Sequence, residues 1–332
     1  MQENDMMGKH IDPHVHCRDW EWSYKATIKS VMETARSQGV VAVVDMPNTN
    51  PPITSSELAE KRLETARAEG VHDGYYIYMG VTKDQEQLRK AVDVVDSNPK
   101  VVGLKMFAGR SVGSLGVVDE ESQREAYSAL AESGYKGVLM LHCEKESMFK
   151  PEEWDPRRPY TWNVARPPAA EVESVRDQLR LASECGVKAH IHICHISVPE
   201  SVNIVDGARR HMDISCGVTP HHLTLSTKDM QDEAGVVYKV NPPLRGPEQM
   251  EKMLGLLKDG KIDFIETDHA PHSREEKVYS PSKKPGDYMS GIPSLNGYYE
   301  FLARLKKLGF SENEIEKLTY LNIKRIFPKI TQ

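Results

Sequence analysis

Two histidines stand one residue apart near the start of the chain, and an arginine follows at the same interval. They are His14, His16 and Arg18, in the stretch Ile11-Asp12-Pro13-His14-Val15-His16-Cys17-Arg18. Alternate residues of a β-strand share a face, so both imidazoles can grip one metal ion from a rigid element. Imidazole suits Zn²⁺ and neighbouring transition metals. Arg18 falls next on that face, where its guanidinium fork suits a carboxylate. The segment reads as a metal site that handles an acidic substrate. Because pairs of this kind also occur on surfaces, the reading needs further ligands.

The elements that position these residues supply them. Short apolar runs predict strands near 9–17, 40–45, 74–80, 100–106, 137–142, 188–195, 212–218 and 261–268. Amphipathic stretches lie between them, such as Ile28, Val31, Met32 and Ala35, with Gly39 as a helix stop. Strands alternating with helices in this way predict a (β/α)₈ TIM barrel, an α/β fold whose active site lies at the C-terminal ends of the strands. The polar residues that interrupt the pattern fall at those ends. His14 and His16 close the first strand, Lys105 the fourth, His142 the fifth, His195 the sixth and Asp268 the eighth. Ligands scattered through sequence but gathered at one rim make a barrel metal site.

Eight motifs occur in order: Asp12-Pro-His-Val-His-Cys-Arg18, Met46-Pro-Asn-Thr49 followed by Pro51-Pro52, Gly103-Leu-Lys-Met-Phe107, Leu141-His-Cys-Glu144, Ile193-Cys-His-Ile-Ser197, Thr219-Pro-His-His-Leu223, Asn241-Pro-Pro-Leu-Arg245 and Thr267-Asp-His-Ala-Pro-His272. In these the chain resembles, nearly end to end, the dihydroorotase branch of the amidohydrolase superfamily. The resemblance implies zinc-dependent, reversible cyclisation of N-carbamoyl-L-aspartate to L-dihydroorotate in pyrimidine synthesis. It implies two Zn²⁺ ions per subunit, one on His14, His16 and Asp268 and the other on His142 and His195, bridged by a carboxylated Lys105. Asp268 would serve as ligand and as catalytic proton shuttle. Substrate contacts would come from Arg18, Asn48, Asn241 and His272. The resemblance also allows a homodimer and an association with aspartate transcarbamoylase.

Residue chemistry supports the lysine assignment separately. An ammonium has no lone pair, so a lysine among metal ligands needs explaining. Burial and nearby cations favour the neutral amine, which can add CO₂ to give a carbamate able to span two metals about 3.5–4 Å apart. Arg18 and Asn48 separate this reading from hydantoinases and allantoinases, which share much of the metal framework but generally lack the arginine. A catalytically silent scaffold would have lost ligands, and every expected ligand is present.

The remaining histidines receive weaker roles. His190 and His192 alternate with Ile191 and Ile193, so strand parity places them opposite His195, under the helices, as structural residues. His221 and His222 are expected to hold the site from behind, and His269 is left unassigned. The sequence Arg18-Asp-Trp-Glu-Trp22 departs from the family's usual continuation, so Trp20 and Trp22 would reshape the pocket rim or pack on a neighbouring loop. Gly291 to Gly297 lacks the family's usual acidic residue. Segments 108–116 and 275–290 are candidate lids.

Composition sets the outer limits. A chain of 332 residues, 39% hydrophobic, suits one barrel domain over 1–332. With 13 residues before His14, an accessory β-sandwich is not expected. No apolar run reaches membrane-spanning length and no signal peptide is visible. Five cysteines without paired spacing suit reduced thiols in a cytoplasmic enzyme. A net charge of −6 argues against a nucleic-acid surface, leaving a small-molecule substrate.

Overall fold

Strand alternation divides the apolar residues between two layers, and the division explains the architecture. In a computed structural model that describes residues 9–110 and 115–331, eight strands form one sheet in sequence order. They are β1 (His10–Val15), β2 (Val40–Asp45), β3 (Tyr75–Gly80), β4 (Val101–Phe107), β5 (Val138–His142), β6 (His190–Ile193), β7 (Ile214–Val218) and β8 (Phe264–Ile265). All neighbours pair in parallel. Beyond the end of β8 the sheet meets β1 again, through a parallel bridge between Val15 and His269. The buried Asp12 carboxylate reinforces that seam by accepting from Thr267 N (3.1 Å) and Thr267 Oγ1 (2.5 Å). The chain is the nearly closed (β/α)₈ barrel that the alternation predicts.

A helix of ten residues or more follows each strand: α1 (Ile28–Ser37), α2 (Ser56–Ala68), α3 (Gln85–Ser97), α4 (Glu120–Glu132), α5 (Pro168–Glu184), α6 (Pro199–Ala208), α7 (Pro247–Lys258) and α8 (Tyr298–Lys307). In α1 the buried residues are Ile28, Val31, Met32 and Ala35, one stripe at helical spacing. A Thr27–Ser30 capping box starts the helix, and Gly39 (φ 77°) takes the left-handed turn that ends it. These stripes pack on the outward residues of the strands, and each fully buried aliphatic side chain there contributes about 1.5–3 kcal/mol. Inside the barrel, Ile11, Val44, Tyr78, Val102, Met140 and Phe264 form a second cluster, joined by Ile323 and Phe327 from the C-terminal segment.

Two irregularities in pairing set the direction of functional side chains. In β4, Tyr78 pairs with Gly103 although its neighbour Ile77 pairs with Val101, so Val102 is an extra residue. The bulge re-phases the strand: Val102 faces the interior while Leu104 and Met106 face the helices, which leaves Lys105 pointing inward. Glycine is required at the bulge, because a Cβ on Gly103 would lie 2.6 Å from the Val138 carbonyl oxygen. In β1 the register also shifts between Asp12 and Val15, turning His14 to the side that Ile11 occupies one turn of the pleat below. No helix among the described residues is long and apolar enough to cross a membrane. Of the two candidate lid segments, residues 111–114 of 108–116 lie outside the described residues.

Candidate metal centre

His14, at the end of β1, and His16, just beyond it, converge on Asp268. His16 Nε2 is 3.0 Å and His14 Nε2 3.3 Å from Asp268 Oδ1, and the three side chains offer ligand atoms within 4.8 Å of one another. Asp268 follows β8 in a left-handed conformation (φ 47°), which swings its carboxylate over the barrel mouth. The opposite nitrogen of His14, Nδ1, lies 2.8 Å from Glu266 Oε2. Because a carboxylate there can only accept, Nδ1 carries the hydrogen and Nε2 presents a lone pair. Burial, then the charge of Lys105, lowers the His14 pKa to about 4, so the ring is neutral at pH 7. Burial alone would raise the Asp268 pKa, yet His14 and His16 outweigh it and hold the carboxyl below its usual range. A neutral imidazole lone pair facing a carboxylate oxygen is not a hydrogen bond. It is the donor set that a cation completes.

His142 closes β5 and His195 follows β6, also in a left-handed turn (φ 38°). His142 Nδ1 is 3.1 Å from His195 Nε2, and the His195 ring centroid is 5.1 Å from that of His14. Burial depresses both pKa values; His142 and His14 add to the effect on His195. His195 Nδ1 is buried without a hydrogen-bond partner among the described residues. His142 Nε2 sits 3.2 Å from Glu144 Oε2 without hydrogen-bond alignment, while Glu144 is held by Arg166 on both oxygens. Lys105 is fully buried. Its Nζ donates to Cys194 Sγ (3.0 Å) and lies 5.1 Å from the Phe107 ring centroid. No carboxylate among the described residues forms an ion pair with it, and a buried ammonium without a counter-ion is costly. Bare imidazole nitrogens and an amine lacking an anion fit a metal held with the help of a modified lysine.

Beside this cluster a small pocket is lined by His16, Arg18, Asn241, Asp268, Ala270, Ser290 and Gly291. Arg18 is buried, with a left-handed backbone (φ 58°) continued by Asp19 (φ 62°) and Trp20 (φ 50°). The Asp19 carboxylate holds that turn by accepting from Trp20 N (2.6 Å) and Ile28 N (2.9 Å). Such consecutive strained residues persist where surrounding structure fixes them, as at binding sites. Asn241 reaches the pocket while accepting from Trp162 Nε1 (3.2 Å). Asn48 is buried and is not part of this lining. His272 stands behind Arg18: its Nε2 is 3.0 Å from Arg18 Nη2 and its Nδ1 3.3 Å from Lys25 Nζ. Burial, then Arg18 and Lys25, keeps this imidazole neutral and able to accept. It lies against Arg18 and also 3.0 Å from the carbonyl oxygen of Ser290, a residue that lines the pocket.

Several residues differ from the sequence reading. His192 does not lie under the helices. Its ring stacks on Phe264 in the barrel interior (4.3 Å between centroids), and its Nε2 is 3.3 Å from Glu266 Oε1. Alternation fails as a guide because β6 ends at Ile193 and the turn at His195 brings that ring inward too. His190 bonds Asp213 (2.8 Å) and Ser215 (2.7 Å) on the same side as His192. Glu266, fully buried at the centre of this network, carries no signal in spacing except its place two residues before Asp268. His222 fits a supporting role, its Nδ1 on Thr219 Oγ1 (2.8 Å) and Nε2 on the Pro242 carbonyl (3.0 Å). His269 accepts from Leu295 N (3.1 Å), a structural bond. Trp20 packs on α2, donating to Thr65 Oγ1 (3.0 Å), whereas Trp22 lies beside Arg18 and Lys25.

No protein-family model matches the chain. Among curated proteins, a dihydroorotase of Pyrobaculum aerophilum is 35% identical over 299 residues, covering 90% of this chain and 67% of that protein. A dihydroorotase of Fusobacterium nucleatum subsp. nucleatum is 31% identical, covering 96% and 72%. The chain belongs to the dihydroorotase family. It spans about two thirds of the length of its curated dihydroorotase relatives, 65% in the case of the Halobacterium salinarum protein. Solved structures place this dihydroorotase-family chain in the wider cyclic amidohydrolase fold. L-Hydantoinase (dihydropyrimidinase) from Arthrobacter aurescens superimposes with a TM-score of 0.82 at 22% identity, covering 96% of this chain and 70% of that one. Dihydroorotase from Campylobacter jejuni gives 0.69 at 19% identity, covering 96% and 83%.

Proposed function

We propose that the chain is a zinc-dependent dihydroorotase that interconverts N-carbamoyl-L-aspartate and L-dihydroorotate. The observation that carries this reading is the convergence of His14, His16 and Asp268 next to a pocket into which Arg18 is built. Family membership supplies the reaction class, and the buried guanidinium favours a substrate bearing a carboxylate. His14, His16 and Asp268 would hold one ion, His142 and His195 the other, with a carboxylated Lys105 between them. When bound, the two ions supply Lewis acidity toward the amide carbonyl and the attacking water.

The chain's own residues do the rest. Arg18, braced by His272 and by the Pro271 carbonyl (3.0 Å from Nε), receives the substrate carboxylate in a fixed orientation. Asn241 offers an amide to the ring edge, and the Pro-Asn-Thr motif assigns Asn48 to the substrate as well. Asp268 takes the proton of the attacking water and delivers it to the ring nitrogen that leaves, and runs the same transfers backwards in cyclisation. Burial of the centre raises the strength of each of these contacts. The five free thiols agree with a cytoplasmic setting, and a homodimer and docking to aspartate transcarbamoylase belong to the same reading.

Turnover of dihydroorotate, hydantoin and allantoin by the zinc-loaded protein tests the proposal. Dihydroorotate should be opened with the highest kcat/KM. Preference for hydantoin or allantoin would overturn the substrate assignment.

A further inference from the structure

Glu266 is the only carboxylate among the described residues that touches both halves of the centre. Its Oε2 accepts from His14 Nδ1 (2.8 Å), and its Oε1 accepts from the backbone N–H of His195 (2.6 Å). His192 Nε2 approaches Oε1 at 3.3 Å, and His192 Nδ1 is fixed by Ser215 Oγ (2.7 Å). A side chain that starts just past β8 thus reaches β1 on one side and the end of β6 on the other. To reach β6 it must pass over β7, and there the chain carries Gly217. A Cβ at that position would lie 2.2 Å from Glu266 Oε1, 2.8 Å from its Cδ and 3.1 Å from His192 Nε2. The backbone of Gly217 is ordinary strand, so the glycine is required for space and not for conformation.

We infer that Glu266 is a positioning residue for both halves of the metal centre, and that Gly217 is its necessary partner because it leaves the lane the carboxylate occupies. By accepting from Nδ1, Glu266 fixes the His14 tautomer that presents Nε2 to a metal, and strengthens that nitrogen as a donor. By accepting from His195 N, it holds the left-handed turn that brings the second half's imidazole to the rim. The inference rests on the metal site proposed above but not on the identity of the substrate.

The test is zinc affinity of the purified holoprotein, read by chelator competition, for the parent, Glu266→Gln, Glu266→Ala, Gly217→Ala and the Gly217→Ala/Glu266→Ala pair. Glu266→Gln keeps the shape but cannot serve as an acceptor for all its partners with full charge, and should weaken zinc binding about 10–100-fold. Gly217→Ala should weaken it in the same direction in the parent, yet add less than about twofold in the Glu266→Ala background, since contacting residues couple and independent ones do not. Should Gly217→Ala fail to fold, recovery of folding in the pair supports the same coupling, and failure of both overturns it. Parent-like affinity in Glu266→Gln overturns the positioning role. Equal losses from Gly217→Ala in both backgrounds, or none in the parent, overturn the partnership. A protein with this zinc behaviour that opened hydantoin instead of dihydroorotate would contradict only the substrate reading.

Discussion

The two halves of the metal centre are built on different terms. In the first, His14 and His16 already face a carboxylate, Asp268, and a second carboxylate, Glu266, fixes the tautomer of His14. In the second, His142 and His195 face each other at 3.1 Å, and the neighbouring carboxylate Glu144 is taken up by Arg166. The remaining group there is Lys105, buried against a thiol. One half is therefore complete in its own side chains, while the other lacks an anion. The proposed carboxylation of Lys105 would supply it, turning the residue that least suits a metal site into a bridge between the two halves.

Breaking the first half should have the largest effect on chemistry. Asp268→Asn keeps size and one oxygen for a metal but cannot accept a proton near neutrality. General acid–base groups contribute about 10²–10⁴-fold, and the upper end is expected in kcat because, on the proposed mechanism, one residue would serve both proton transfers. Zinc content should stay near that of the parent. Near-parent turnover in the zinc-loaded variant would reject the shuttle role. The ionisation that a pH–rate profile of the parent reads would belong to the water and Asp268 together.

Breaking the second half should cost metal first. Lys105→Ala should retain the ion on His14, His16 and Asp268 but lose most occupancy at His142 and His195. Turnover should fall by about 10²-fold, the top of the range for lost supporting groups in metal sites. Short carboxylic acids added to the variant should restore part of it by standing in for the carbamate. Two metals per chain and full activity without added acid would contradict the bridging role.

A smaller loss should follow at the pocket beside His16 and Asp268. Arg18→Lys keeps charge but loses the two-pronged geometry. A charge-assisted bond is worth about 1.5–3 kcal/mol, so kcat/KM for dihydroorotate should fall about tenfold or more while zinc affinity holds. An unchanged kcat/KM in folded, metal-loaded protein would reject the contact.

The smallest effect is on stability of the metal-free protein with pH. Burial lowers His10, His14 and His222 to about 4 and His269 to about 3, and depresses His195 and His221 as well. Between about pH 4 and 6.5 these rings are protonated in the unfolded chain and neutral in the fold, so stability rises with pH. Asp12, pushed up to about 7 by burial, opposes this with one proton across the same interval. The six histidines outnumber it, so the melting temperature of the metal-free protein should climb from pH 4 to 6.5. A flat or falling profile would contradict the buried, neutral state of the imidazoles.

What could be read from the sequence follows the same division between regular and irregular backbone. Strand and helix order, the stripe Ile28, Val31, Met32 and Ala35, and the placing of polar residues at strand ends all follow from periodicity, and the structure keeps them. Lys105 points inward only because the bulge at Val102–Gly103 re-phases β4. Alternation misplaces His192 because β6 ends at Ile193 and the turn at His195 breaks the pattern. Glu266 has no local signature, since its role depends on reaching across β7, a relation between residues 49 positions apart. His272 shows the same limit. Its motif points to the site, but only the fold reveals that it lies against both Arg18 and the Ser290 carbonyl.

The difference between the halves is tested most directly by ¹³C NMR of zinc-loaded protein prepared with ¹³C-bicarbonate. The account predicts one carbamate signal per chain, present in the parent, absent in Lys105→Ala, and lost when the metals are stripped. A parent protein that binds two metals per chain and shows no carbamate would contradict it.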